Sequence, residues 1–127
     1  MKLYDLDDEK FILPPGIPSS VIARVTQLFN VRYESEPPSL IGKREEIEKA
    51  KEFIKKLLEA KMFLKDIGKL AKRHKVKAKI YCEDDELRNL LKIAVQDIVF
   101  REYLEILDEK IEGEKIKFLD KEVIISV

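Results

Sequence analysis

Apolar and polar positions divide this chain into short segments of changing period, and one segment stands apart. From Leu87 to Leu107, 13 of 21 positions are apolar. Leu87, Leu91, Ala94 and Ile98 keep one face by steps of four, three and four. Leu90, Ile93, Val95, Val99, Phe100, Tyr103, Ile106 and Leu107 widen that stripe past half the circumference. Such a stripe predicts a helix over 85–110, covered on more than one side. At 1.5 Å per residue it would run roughly 39 Å, longer than a small domain is wide. The excess calls for cover from the other half of the chain or from a second copy.

Ahead of this segment, short strands are predicted at 3–6 and 10–13, ended by Pro14, Pro15, Gly16 and Pro18. Val21, Ile22, Val25, Leu28 and Phe29 then sit three and four apart behind Ser19 and Ser20, either of which can cap a helix that ends at Asn30. Residues 31–35 alternate as a strand, Pro37-Pro38 breaks it, and 39–41 is extended again. Gly42 opens the most strongly patterned helix, with Glu45, Glu46 and Glu48 at its positive end. Its stripe of Ile47, Ala50, Ile54 and Leu57 slips in phase near Lys61 and continues, rotated, through Phe63, Ile67 and Leu70. The slip predicts a bend or a break at 60–62. Val76, Ala78, Ile80 and Cys82 alternate with Lys77, Lys79 and Tyr81, a half-buried strand by period. Asp84 or Asp85 can cap the helix that follows, Gly113 ends it, and 115–119 pairs with 122–127 as a hairpin over Asp120-Lys121. The fold class is α+β: two interlocked β-α-β-β lobes, with three to four helices packed on mixed or antiparallel sheet. At 127 residues the chain is a single compact domain, or two small lobes (1–60 and 61–127) sharing one core.

Composition adds a compartment and a charge map. Charged residues make up 39% of the chain, mostly Lys and Glu, while Asn and Gln total four and Trp is absent, a balance that points to a thermophilic source. Cys82 is the single cysteine, which fits a reducing cytoplasm. The acid-bearing N-terminus MKLYDLDDEKF is unlike a signal peptide, and no run of 18 apolar residues offers a membrane span. The formal net charge of zero hides an asymmetry. Residues 55–79 hold ten basic and two acidic side chains, whereas 80–127 hold seven and thirteen. An anionic partner is therefore expected on one side.

Lys61, Lys65, Lys69, Lys72 and Arg73 recur at helical spacing and form one ridge, which Lys75, Lys77 and Lys79 extend into the next strand, where Tyr81 shares the face of Lys77 and Lys79. Phosphates repeat along a nucleic-acid backbone and are met by cations in a row, and an aromatic can stack on a base. A solvated face and a docking surface for an acidic protein are the alternatives, but a merely solvated face usually interleaves Glu. His74, the one histidine, lacks partners for a metal site or a triad. Cys82 falls on the apolar side of its strand and reads as an inert thiol. Glu83, Asp84, Asp85, Asp7 and Asp8 read as caps and solvated acids rather than as a cation site, and capping accounts for Ser19-Ser20. No cofactor, metal or catalytic constellation is indicated.

In residues 11–59, the run IPSSVIARVTQLFNVRY followed by LIGKREEIEKAKEFIKKLL resembles the latter part of a KH RNA-binding module. Gly42, Ile47, Ala50 and Ile54 match the last helix of that family. Its GxxG loop would fall on Gly16-Ile17-Pro18-Ser19, which holds one glycine and no lysine. The resemblance implies RNA binding. The expectation for function is a small non-catalytic cytoplasmic protein that binds RNA or single-stranded DNA through 61–79. A homo-oligomeric interaction or assembly module is the alternative. A homodimer is expected from the overlong helix and from the apolar strand 123–127, taken as an open sheet edge.

Overall fold

The computed structural model describes residues 8–127, so the strand expected at 3–6 and Asp7 lie outside the described residues. The chain is α+β, with three helices packed on antiparallel and mixed sheets. It divides between Lys55 and Lys56 into two compact units.

The first unit contains β1 (Asp8–Ile12), α1 (Ser19–Leu28), β2 (Val31–Ser35), β3 (Pro38–Lys43) and the first turns of α2 (Arg44–Arg73). Its sheet is antiparallel in the order β1-β3-β2, and β2 turns into β3 over Glu36-Pro37. The prolines that break the pattern thus sit in and just after a hairpin turn, where a missing N–H costs little. β3 is the central strand, and its Leu40 and Ile41 are buried on opposite faces. Pro18, rather than a serine, stands at the cap of α1, and its carbonyl accepts from the N–H groups of Val21 and Ile22. The serines are the first two helical residues instead. Val21 and Val25 are buried, and Phe29 meets Phe53 edge to face at 5.7 Å. The Asn30 N–H donates to Glu46 Oε1 at 3.0 Å, which ties the end of α1 to the start of α2. That bond, helped by Lys49, holds the Glu46 carboxyl below its usual range. Gly42 does not open the helix. It lies within β3 opposite Val31, where a Cβ would come within 2.8 Å of the Asn30 carbonyl oxygen.

α2 runs unbroken through 60–62, so the bend predicted there is absent. Ala60, Lys61 and Met62 are all strong helix formers, and neither Gly nor Pro offers a kink. Nor does the buried side rotate: Leu57, Ala60, Leu64 and Ala71 continue the first stripe, while Leu70 of the expected rotated stripe is exposed.

The second unit contains the rest of α2, then β4 (Ala78–Cys82), α3 (Asp85–Val95), a 3-10 turn (Arg101–Tyr103), β5 (Leu104–Ile106), β6 (Glu114–Phe118) and β7 (Lys121–Ser126). Its sheet has the order β5-β4-β7-β6, with β4 and β5 parallel and the other pairs antiparallel. Ala78, Ile80, Cys82 and Val123 are buried with Leu87, Leu90, Leu91 and Ala94 of α3, and Phe63 of α2 stacks on Phe118 at 4.2 Å. Asp84 caps α3, its Oδ2 accepting from the Leu87 N–H at 2.9 Å. No helix among the described residues is long and apolar enough to cross a membrane.

Two expectations fail in this unit. The helix predicted over 85–110 ends at Val95, because Leu104, Glu105 and Ile106 pair in parallel with Ala78, Lys79 and Ile80. Helical periodicity yields here to a ladder formed with a distant strand, a tertiary gain that outweighs weak local preference. The C-terminal strand is not an edge, since β7 lies between β4 and β6. Both grounds for a homodimer are thereby removed.

The β6–β7 hairpin turns over Leu119-Asp120, one residue earlier than predicted, with φ of 51° and 63°. A two-residue turn with two positive φ angles favours Asn-Gly, and a leucine there is strained. Leu119→Asn combined with Asp120→Gly is expected to raise stability by about 1 kcal/mol. A denaturant midpoint that stays unchanged or falls would contradict this assignment of the turn.

Candidate nucleic-acid interface

The end of α2 determines where the basic side chains go. Lys75 adopts a left-handed conformation at φ 55°, the Val76 N–H donates to the Ala71 carbonyl at 3.0 Å, and the Lys75 N–H donates to that of Lys72 at 3.1 Å. These two bonds are those of a Schellman ending, which satisfies the last carbonyls and swings the chain sharply out of the helix. The basic side chains of α2 are therefore followed after a short turn by Lys77 and Lys79.

Along α2, Lys65, Lys69, Lys72 and Arg73 are exposed. Lys65, Lys69 and Arg73 form no ion pair with any described residue, whereas Lys72 lies over the ring of Phe100, 5.4 Å from its centroid. Lys61 differs, being largely buried and paired with Asp97 at 3.4 Å. Lys77 pairs with Glu105 at 3.8 Å. Lys79 is exposed on the outer face of β4, beside Glu105 and Ser126 in register, without an ion pair among the described residues.

The first turns of α2 carry their lysines differently. There Lys49 pairs with Glu46 and Lys51 with Glu48, each three residues apart. Such interleaving is what a solvated helix face normally shows, at a few tenths of a kcal/mol per pair. From Lys61 onward the like charges stand four apart and repel one another. Helix polarity favours cations in the last turn and so accounts for Lys72 and Arg73. It does not account for Lys65 and Lys69, which lie further back.

Tyr81 shares the outer face of β4 with Lys79, and its surroundings are crowded and of mixed charge. The Arg88 guanidinium lies 5.8 Å from the ring centroid. Tyr81 and Ile124 line a pocket of about 340 Å³ together with Glu83, Asp84, Glu122, Lys110 and Lys121. Arg88 donates to the Cys82 carbonyl at 2.8 Å and pairs with Asp85 and Asp108. The Lys92 ammonium, hydrogen-bonded to Asp108, holds that carboxyl below its usual range, with Arg88 adding to the effect. Cys82 is buried, and burial pushes its thiol up, so it remains protonated. Asp8 pairs with Arg32 and Lys43, and Asp84 with Lys121. Among the described residues, no three His, Cys, Asp or Glu side chains are grouped to hold a metal ion. Asp97, Glu105 and Phe100, which sequence spacing could not attach to the ridge, are brought to it by tertiary packing.

No solved structure matches the chain. Uncharacterized protein MJ0093 of Methanocaldococcus jannaschii is 40% identical over 136 aligned residues, covering 99% of this chain and 96% of that protein. Residues 8–125, nearly the whole chain, match the corresponding family. This chain therefore belongs to the Uncharacterized protein MJ0093 family.

Proposed function

We propose that the chain binds a nucleic-acid strand, RNA in the first place, by its phosphate backbone along the second half of α2 and the start of β4. The carrying observation is the exposed row Lys65, Lys69, Lys72 and Arg73, in which Lys65, Lys69 and Arg73 form no ion pair with the described residues. A row of uncompensated cations costs a folded helix a little repulsion, and a polyanion removes that cost on binding. With Lys79, the row supplies about five cations for phosphate contact. The preference for RNA rests on the resemblance of residues 11–59 to a KH module. The β-α-β-β order of residues 8–43, and its recurrence with one further strand over 78–126, supports a two-lobe plan. The reading is of a binding protein without catalysis, in which neither cofactor nor metal takes part.

A salt titration tests the proposal. About five contacts to a single strand predict a slope of roughly −3.5 in log affinity against log salt. Fluorescence anisotropy with a labelled RNA oligonucleotide measures it. Absence of binding at low salt, or a slope near zero, would sink the proposal.

A further inference from the structure

We infer that Val99 and Phe100 form a base-contacting shelf beside the ridge, so that the bound strand is single and presents unstacked bases. The inference rests on the ridge being a phosphate-binding surface. Residues 97–100 run alongside α2 and are fixed to it at two points. At one point Asp97 pairs with Lys61. At the other, Phe100 backs onto Gly68 and lies beneath the ammonium of Lys72. Gly68 makes this close approach possible, since a Cβ there would lie 2.6 Å from that of Phe100. Lys65 occupies the stretch of helix between the two fixed points. Val99, at 83% exposed, belongs to the same short segment and so stands beside the cations with no packing role of its own.

Cations next to an apolar and aromatic ledge make up the pairing that grips single strands, with phosphates on the charges and bases on the ledge. A duplex keeps its bases stacked inward and offers such a ledge nothing to touch. Lys72 is exposed and flexible, so it can leave the Phe100 ring to a base while it takes a phosphate. Two other aromatics near the row are already engaged, Phe63 stacked on Phe118 and Tyr81 against the Arg88 guanidinium. The stacking role therefore falls to Phe100.

The test compares a labelled oligouridylate of about 12 nucleotides with an RNA duplex of the same length. Val99→Ser changes a solvent-facing side chain, and Phe100→Leu keeps an apolar contact on Gly68 while removing the ring. Combined, they are expected to weaken single-strand binding about fivefold or more, leaving the salt slope and duplex binding unchanged. Thermal melting of each variant shows that the fold is intact, and Val99→Ser alone should still weaken the single strand measurably. Unchanged single-strand affinity in both variants, or equal loss on strand and duplex, overturns the shelf. If charge reversal at Lys65 and Lys69 still abolishes binding, the ridge survives that failure. If charge reversal has no effect either, ridge and shelf fall together.

Discussion

Reversing Lys65 and Lys69 together to glutamate is expected to weaken RNA binding by about 100- to 1000-fold at moderate salt. Each phosphate contact contributes about 0.7 to the salt slope, so losing two of about five brings it from roughly −3.5 to roughly −2. Reversal adds repulsion to the two lost attractions, which raises the expected effect above that of a lysine-to-alanine pair. Stability should move by no more than about 0.5 kcal/mol, because neither lysine has an ion-pair partner to lose and like-charge repulsion on the helix is partly relieved. The control is Lys115 with Lys117 on β6, equally exposed but paired in register with the acid-bearing strand β7. Their reversal should leave affinity and slope close to those of the unaltered protein. Equal losses from both pairs would reduce the ridge to nonspecific attraction. Binding measured across a salt series, with melting curves alongside, separates these outcomes.

Ile80→Asp is expected to abolish cooperative folding of the second unit. Ile80 is fully buried in β4, which pairs with β5 on one side and β7 on the other, so a carboxylate there reaches neither water nor a cation. An unpaired buried charge costs several kcal/mol against a total stability of about 5–15 kcal/mol. Val99→Asp places the same carboxylate on an exposed residue and should leave the melting curve nearly unchanged. Val99→Asp discriminates between the observed turn and a continuous helix over 85–110, whose broad apolar stripe would include Val99. Far-UV circular dichroism on heating reads both. A normal transition for Ile80→Asp would mean that β4 is not at the centre of this sheet.

What the sequence revealed, it revealed where local pattern and tertiary packing agree. The period-two run at Ala78, Ile80 and Cys82 became the buried side of β4, and the steps of three and four in 19–28 became α1. The β6–β7 hairpin was legible to within one residue at its turn. Residues 96–106 were not, because their apolar spacing satisfies a helix equally well. The deciding contact is with Ala78, Lys79 and Ile80, more than twenty positions earlier in the chain. Charge behaved in the same way. Helical spacing put Lys61 through Arg73 in one row, but spacing alone could not tell that Asp97 engages Lys61 or that Glu105 engages Lys77. Nor could it bring Phe100 against a glycine on the neighbouring helix.

The position of β7 between β4 and β6 also sets a timetable for synthesis. Lys79 must wait for Ser126, and Cys82 for Val123, before one side of β4 is paired. Pairing over so long a loop is slow, because closure entropy is lost before any contact repays it. As the chain emerges, β4 can join α3 and β5 early, while its other edge stays open until 121–126 arrive. An open central strand invites pairing with the same strand of a neighbouring nascent chain. Lys79 lies exposed within that strand, and a charged side chain on an open strand disfavours pairing with a second copy of itself.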